Sequence, residues 1–356
     1  YKRDYSASGM MECIEPGDSV FKESFLIETG KGCGQGCRFC AAGFIYRPVR
    51  HVQKEVVIRQ IAHGLAERKK IGLVGSAISE HPDIGEIYDK YGKDGITTFD
   101  DIRSYESRDS AVFRRQVKGG ARSVTIAPEA GSERLRRIVN KDISDVEIVS
   151  CVTAAATEGI LNVKLYFLIG LPEETDGDVT AIAKLVKMIR DGFVGASKIH
   201  GRAGRINVSV NPFVPKPGTP FQWARYAPMD ELKKKIKLLK SLLGGEPNIA
   251  LKADSVKNGA VQALLSLGSR RVGSMMLDVF NGKSWSSVLR IPEAKTVYAR
   301  AGEKGETLPW DFIDSIVDRN YLWREYEKAK SGKVTPPCPS RESGCKRCGV
   351  FEGNCF

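Results

Sequence analysis

The sequence predicts a parallel α/β fold followed by a smaller α+β extension. Two observations carry that prediction. Short apolar runs of strand length alternate with amphipathic helical segments through the first two thirds of the 356 residues, and the residues with evident chemistry fall where those runs end. Strands joined by helical crossovers pair in parallel, and in parallel α/β proteins reactive groups collect at the C-terminal ends of the strands.

Each element has its own reason. Ser-Phe-Leu-Ile-Glu-Thr, ending at Thr29, is the first strand and runs directly into a Gly- and Cys-rich loop. Val52 to Lys70 reads as a helix with Val56, Val57, Ile61 and Leu65 near one face. Ile71 to Ala77 is a second strand ending in small residues, and Gly95 to Phe99 a weaker third. Ser123–Pro128 and Val163–Gly170 are strands four and five, separated by helix-forming sequence. Arg205–Pro215 is the sixth, stopped by prolines that cannot donate to a ladder. Beyond residue 228, Met229–Leu243 is an amphipathic helix with Lys233, Lys234, Lys235, Lys237 and Lys240 largely off its apolar stripe. Ala250–Asp254 reads as a strand, and Asn320–Gly332 as a further helix.

Composition narrows the class. Hydrophobic residues make up 42% and charged residues 28%, which excludes global disorder. No apolar run approaches the ~20 residues of a membrane span. The net charge of +12 allows a polyanionic partner such as RNA, although basic surfaces also serve solubility and small anionic substrates. Residue 1 is Tyr, so the expectation is a chain that starts downstream of its native start, with residues 1–20 a linker truncated upstream.

Nine cysteines are unevenly placed. A chain of this length builds its own core without disulfides, so tight thiol clusters read as metal ligands in a reducing compartment, and the expected localisation is cytoplasmic. Cys33, Cys37 and Cys40 form a C-x3-C-x2-C array. Chance would produce that spacing roughly 0.006 times in such a chain. A structural zinc site takes four ligands, and the nearest His is His51. Three thiolates on a short Gly-rich loop can instead hold three irons of a [4Fe–4S] cube and leave the fourth iron without a protein ligand. Packed thiols without metal are the plain alternative.

With Phe39 before its last cysteine, this array resembles the radical S-adenosylmethionine (radical SAM) superfamily. The resemblance implies an open (β/α)6 partial barrel over residues 20–225; the sequence beyond it reads as an α+β extension over 226–335 and a Cys-rich tail over 336–356. It also implies a [4Fe–4S] cluster on Cys33, Cys37 and Cys40, with SAM chelating the open iron. One electron from a reductant such as ferredoxin or flavodoxin would then cleave SAM to methionine and a 5′-deoxyadenosyl radical. By the same resemblance Phe39 lies beside the adenine.

Other candidate SAM contacts follow the later strands. Gly75 and Ser76 stand where the family often has Gly-Gly-Glu, here without the acid; tight strand-end packing is the alternative. Glu129, Ser132 and Arg134 lie in a segment similar to that of methylthiotransferase-like members. A plain helix N-cap also explains Ser132, and a solvated helix face Arg134. Gly170 begins a turn similar to the family's Gly-Leu-Pro-Gly-Glu-Thr, with Glu173 in place of the second Gly and Glu174 as the equivalent acid. Phe213 is a candidate for the adenine pocket or for packing, and Lys216 and Trp223 are candidates to face substrate.

The stretches Phe39–Pro48 and Asn211–Trp223 resemble an uncharacterised radical SAM subgroup often fused to an upstream cobalamin-binding domain. Cobalamin is therefore a candidate cofactor and methylation a candidate reaction, although none of His51, His63, His81 and His200 sits in an Asp-x-His-x-x-Gly setting. The tail thiols Cys338, Cys345, Cys348 and Cys355 are candidates for zinc or an auxiliary cluster, with Phe351 where related sequences carry a further Cys. Two other classes fit parts of the sequence. One is an RNA-modifying methylthiotransferase-like enzyme; the other is a non-catalytic, metal-dependent RNA-binding protein using the tail and the Lys-rich helix.

Overall fold

Alternation of large apolar and polar residues sets the strands. In the computed structural model, residues 24–67, 70–76, 78–92, 96–99, 110–338, 345 and 347–350 are described. The first unit contains β1 (Ser24–Glu28), β2 (Gly30–Lys31), β3 (Arg50–His51), α1 (Lys54–Glu67), β4 (Lys70–Val74), α2 (Ile84–Tyr91) and β5 (Ile96–Phe99). The strands β1, β4 and β5 form a three-stranded parallel sheet in that order. Its buried Phe25, Ile27, Ile71 and Leu73 pack on Val56, Val57 and Ile61 of α1, the face the helical spacing predicts.

Next come α3 (Ala111–Lys118), β6 (Ser123–Glu129), α4 (Glu133–Ile138), α5 (Asp145–Thr157), β7 (Asn162–Ile169), α6 (Asp176–Ser197) and β8 (Arg205–Pro212). They are followed by α7 (Met229–Leu243), β9 (Ile249–Ala253), α8 (Val256–Leu267), α9 (Val272–Phe280), α10 (Trp285–Val288), α11 (Pro292–Ala299) and α12 (Arg319–Lys330). A four-stranded, all-parallel sheet runs β6-β7-β8-β9. Val163, Leu165, Phe167 and Ile169 alternate into the main core, against Ile148 and Val152 of α5 and Ile182, Val186 and Ile189 of α6. Both helices start with capping boxes, Ser144 with Glu147 and Thr175 with Asp178, which satisfy the first amides and set where each crossover begins.

The architecture is the parallel α/β expected, with two differences. The core strands lie in a sheet of three and a sheet of four. The Ile249–Ala253 strand of the extension pairs with β8, from Ile206 opposite Ile249 to Val210 opposite Ala253, so one sheet continues across residue 225. On α7, Lys235 departs from the expected exposed lysine face. It is 5% exposed and pairs with the buried Glu174 at 2.9 Å. Among the described residues no helix is long and apolar enough to cross a membrane.

Candidate functional site

The cysteine loop begins where β1 ends. The Thr29 amide donates to the Val74 carbonyl at 2.9 Å, completing the strand pairing, and the two-residue β2–β3 ladder then closes the base of the loop. Gly32 has φ +80°, and a Cβ there would stand 2.5 Å from the Tyr46 carbonyl oxygen, so only glycine lets the chain turn so tightly. Cys33 and Cys37 are buried, and the Cys40 amide donates to the Cys37 carbonyl at 3.0 Å.

All three thiols line one cavity of ≈ 100 Å³, together with Phe39, Ser76, Glu129 and Lys141. A second cavity of ≈ 390 Å³ adjoins it, sharing Phe39 and Glu129 as wall and adding Asn211, Phe213, Lys216 and Asp254. Glu129 closes β6 at a register shift and holds a left-handed φ of 68°, a strained backbone for a non-glycine residue. Its carboxylate lies 3.4 Å from Lys141 Nζ. Burial pushes the Cys40 thiol up, and the neighbouring Cys37 adds to it. A metal ion on the sulfur reverses that preference, because it binds the thiolate.

Residues 27–186 match the family model described as the radical SAM superfamily. This segment resembles a radical SAM domain. The superfamily implies an enzyme, a [4Fe–4S] cluster and SAM. The chain is similar to an uncharacterised protein of Methanocaldococcus jannaschii, MJ0966, at 30% identity over 77% of the chain. It spans 58% of that relative's length. Among solved structures it is similar to Streptococcus suis SuiB bound to S-adenosylmethionine, at 11% identity and TM-score 0.49, over 94% of this chain and 73% of that one. It is also similar to TsrM of Kitasatospora setae, a radical SAM methyltransferase with cobalamin and a [4Fe–4S] cluster bound. That likeness is 16% identity and TM-score 0.44, over 57% of this chain and 41% of that one.

The three thiols fit such a cluster on their own geometry, since they border one cavity from one loop. Among the described residues no group of three or more His, Cys, Asp or Glu side chains is placed to hold a single metal ion. A cubane makes a different demand, because each thiolate takes its own iron and the sulfurs need not meet at one point.

The other sequence candidates separate into two groups. Phe39, Ser76, Glu129, Phe213 and Lys216 border the two cavities. Ser132, Arg134, Gly170, Glu174 and Trp223 do not line either of them. Ser132 caps α4 by accepting from the Leu135 amide at 3.1 Å, and its hydroxyl donates to Asp178. Arg134 pairs with the same Asp178 and donates to the Glu173 carbonyl at 2.8 Å. Burial works against the Asp178 charge, but hydrogen bonds from Ser132, Arg134 and Thr175 outweigh it and hold the carboxyl below the ordinary range.

Gly170, at φ +80°, accommodates α7 rather than an open space: a Cβ there would come within 2.8 Å of Leu232 and 2.9 Å of Ala227. Its amide donates to Glu174, whose carboxyl burial pushes up against the pull of Lys235. Gly75 packs on Thr29 and Ile78. Trp223 is buried against Trp323, with ring centroids 4.9 Å apart.

The tail reaches the cysteine loop. The Cys338 amide donates to the Gly34 carbonyl at 2.6 Å. Arg347 Nε donates to Cys345 Sγ at 3.2 Å, and the buried Cys348 accepts from the Asp318 amide at 2.9 Å through its carbonyl. Cys355 lies outside the described residues. Sequence reasoning passed over Arg38, Asn140 and Glu325, which hold this loop in place. The one available signal was a charged Arg38 set between two cysteines of the array.

Proposed function

We propose that this protein reductively cleaves SAM at a [4Fe–4S] cluster on Cys33, Cys37 and Cys40 and directs the resulting radical onto a substrate in the adjoining cavity. The observation that carries this reading is the pair of cavities sharing one wall: the small one bordered by the three thiols, the larger one by polar and aromatic side chains. When bound, the cluster supplies the electron that breaks the sulfonium bond, giving methionine and a 5′-deoxyadenosyl radical.

The chain's own residues do the rest. Cys33, Cys37 and Cys40 hold three irons. Phe39 stands between the two cavities and, with the buried Phe213, offers flat apolar surface for the adenine. Ser76, at the end of β4, supplies a hydroxyl toward the small cavity. Glu129 and Lys141 place an acid and an ammonium beside the thiols, the complementary pair needed to orient a zwitterionic amino-acid moiety. Lys216 and Asp254 give the larger cavity one charge of each sign.

The test is anaerobic reconstitution with iron and sulfide, followed by SAM and dithionite. 5′-Deoxyadenosine is the expected product in the wild type, and Cys37→Ala should abolish both it and the cluster absorbance. A fully loaded wild type that forms none, or a Cys37→Ala variant that matches wild type, overturns the reading.

A further inference from the structure

Arg38 lies between the cluster ligands Cys37 and Cys40 and has no solvent exposure. Its backbone and both terminal guanidinium nitrogens are engaged, while Nε is buried without a hydrogen-bond partner. Its amide donates to the Val139 carbonyl at 3.0 Å, and its carbonyl accepts from the Phe221 amide at 3.1 Å. Its guanidinium donates to the carbonyls of Arg137, Ile138 and Lys333 at 3.2, 2.8 and 2.6 Å. Among the described residues a single carboxylate faces it, Glu325 of α12, at 3.1 Å.

Glu325 is 1% exposed and divided among several partners. It also takes Lys328 Nζ at 2.7 Å and the Thr335 hydroxyl at 2.8 Å. The Lys328 side chain is 40% exposed and screened by solvent, so Arg38 is the buried cation here and Glu325 its buried counter-charge. Carbonyl acceptors alone do not call for a charged side chain at this place, and a buried ion whose only counter-charge is shared is costly to keep.

We propose that Arg38 and Glu325 are a positioning pair that sets the reduction potential of the cluster, an inference that rests on the cluster reading above. A [4Fe–4S] centre on three thiolates becomes one unit more negative on reduction, and net charge nearby is one of the quantities that fix its potential. The cation belongs to the ligand loop itself, whereas the anion reaches that loop through the cation. The pair thus favours the reduced cluster, and Glu325 limits how far. Because the carboxylate comes from α12, the C-terminal segment completes the electrostatics of a loop that begins near residue 30.

The test is an EPR-monitored titration of the reconstituted full chain with dithionite, comparing wild type, Glu325→Gln and the double variant Arg38→Met/Glu325→Gln. Removing the carboxylate charge leaves the guanidinium uncompensated, so Glu325→Gln should move the midpoint to more positive potential and release iron to a chelator several-fold faster. The double variant buries no charge at this point and therefore keeps the fold even if the single variant does not. Its midpoint should fall below that of wild type, because the cation removed is carried on the ligand loop beside Cys37. Midpoints equal to wild type in a folded Glu325→Gln or in the double variant would overturn the proposal. A wild type with no cluster signal would overturn the cluster reading itself and this inference with it.

Discussion

The amide of Cys338 donates to the carbonyl of Gly34 at 2.6 Å, which fastens the C-terminal tail to the cysteine loop. Asn140 makes the same joint a second time. Its side-chain amide donates to the carbonyls of Gly36 and Thr335 at 3.0 and 3.1 Å, and its carbonyl accepts from the Thr335 amide at 2.7 Å. Three separate stretches of chain therefore meet at one carboxamide, on a residue whose φ of 59° suits Asn better than most.

Asn140→Ala removes all three hydrogen bonds and leaves a left-handed alanine. Stability should fall by about 2–4 kcal/mol. Urea unfolding of the variant measures it, and a change below ~1 kcal/mol would show that the joint contributes little.

Gly170→Ala places a methyl group against Leu232 and Ala227 in a conformation that L-residues avoid. Strain and overpacking act together, for an expected loss of about 2–4 kcal/mol. Gly170→Asn tolerates the φ but not the crowding, so it should be no more stable than the alanine variant. Recovery by Asn would mean that the close approach of α7 is not the constraint.

Asp178 should make stability depend on acid. Its folded carboxyl is held below the ordinary value of 3.8, so its contribution is fully present above that value and is lost as the pH falls through and below it. Asp178→Asn should cost about 2–4 kcal/mol at neutral pH, because Arg134 and Thr175 lose a charged acceptor. Denaturation curves from pH 7 to pH 3 should show wild type converging on the variant; a gap that stays constant would contradict this assignment.

Phe39→Ala opens the wall between the two cavities. SAM affinity of the reconstituted protein should drop roughly tenfold, with the iron content unchanged, as expected for loss of one stacked aromatic surface. Equilibrium dialysis with labelled SAM reads the affinity directly. Unchanged binding would remove Phe39 from the cofactor wall.

Much of this molecule was legible in one dimension because the relevant physics is local. Apolar alternation within Val163–Gly170 marks a strand whatever lies beside it, and β7 spans Asn162–Ile169. The spacing of Cys33, Cys37 and Cys40 likewise sets three thiols on one short loop, wherever that loop is carried.

What only the tertiary structure decided is which long-range partner each polar group meets. Ser132, Arg134 and Gly170 sit at strand ends where SAM contacts were expected, yet Asp178 engages the first two and α7 crowds the third. Nothing near Arg38 in sequence announces Glu325, and nothing near Lys235 on its helix announces Glu174. A buried charge must find a counter-charge wherever the fold brings one, and that choice is made by packing between distant segments. Local pattern thus determined the strands and the cysteine loop, while the closing of that loop by α12 and the tail was settled in three dimensions.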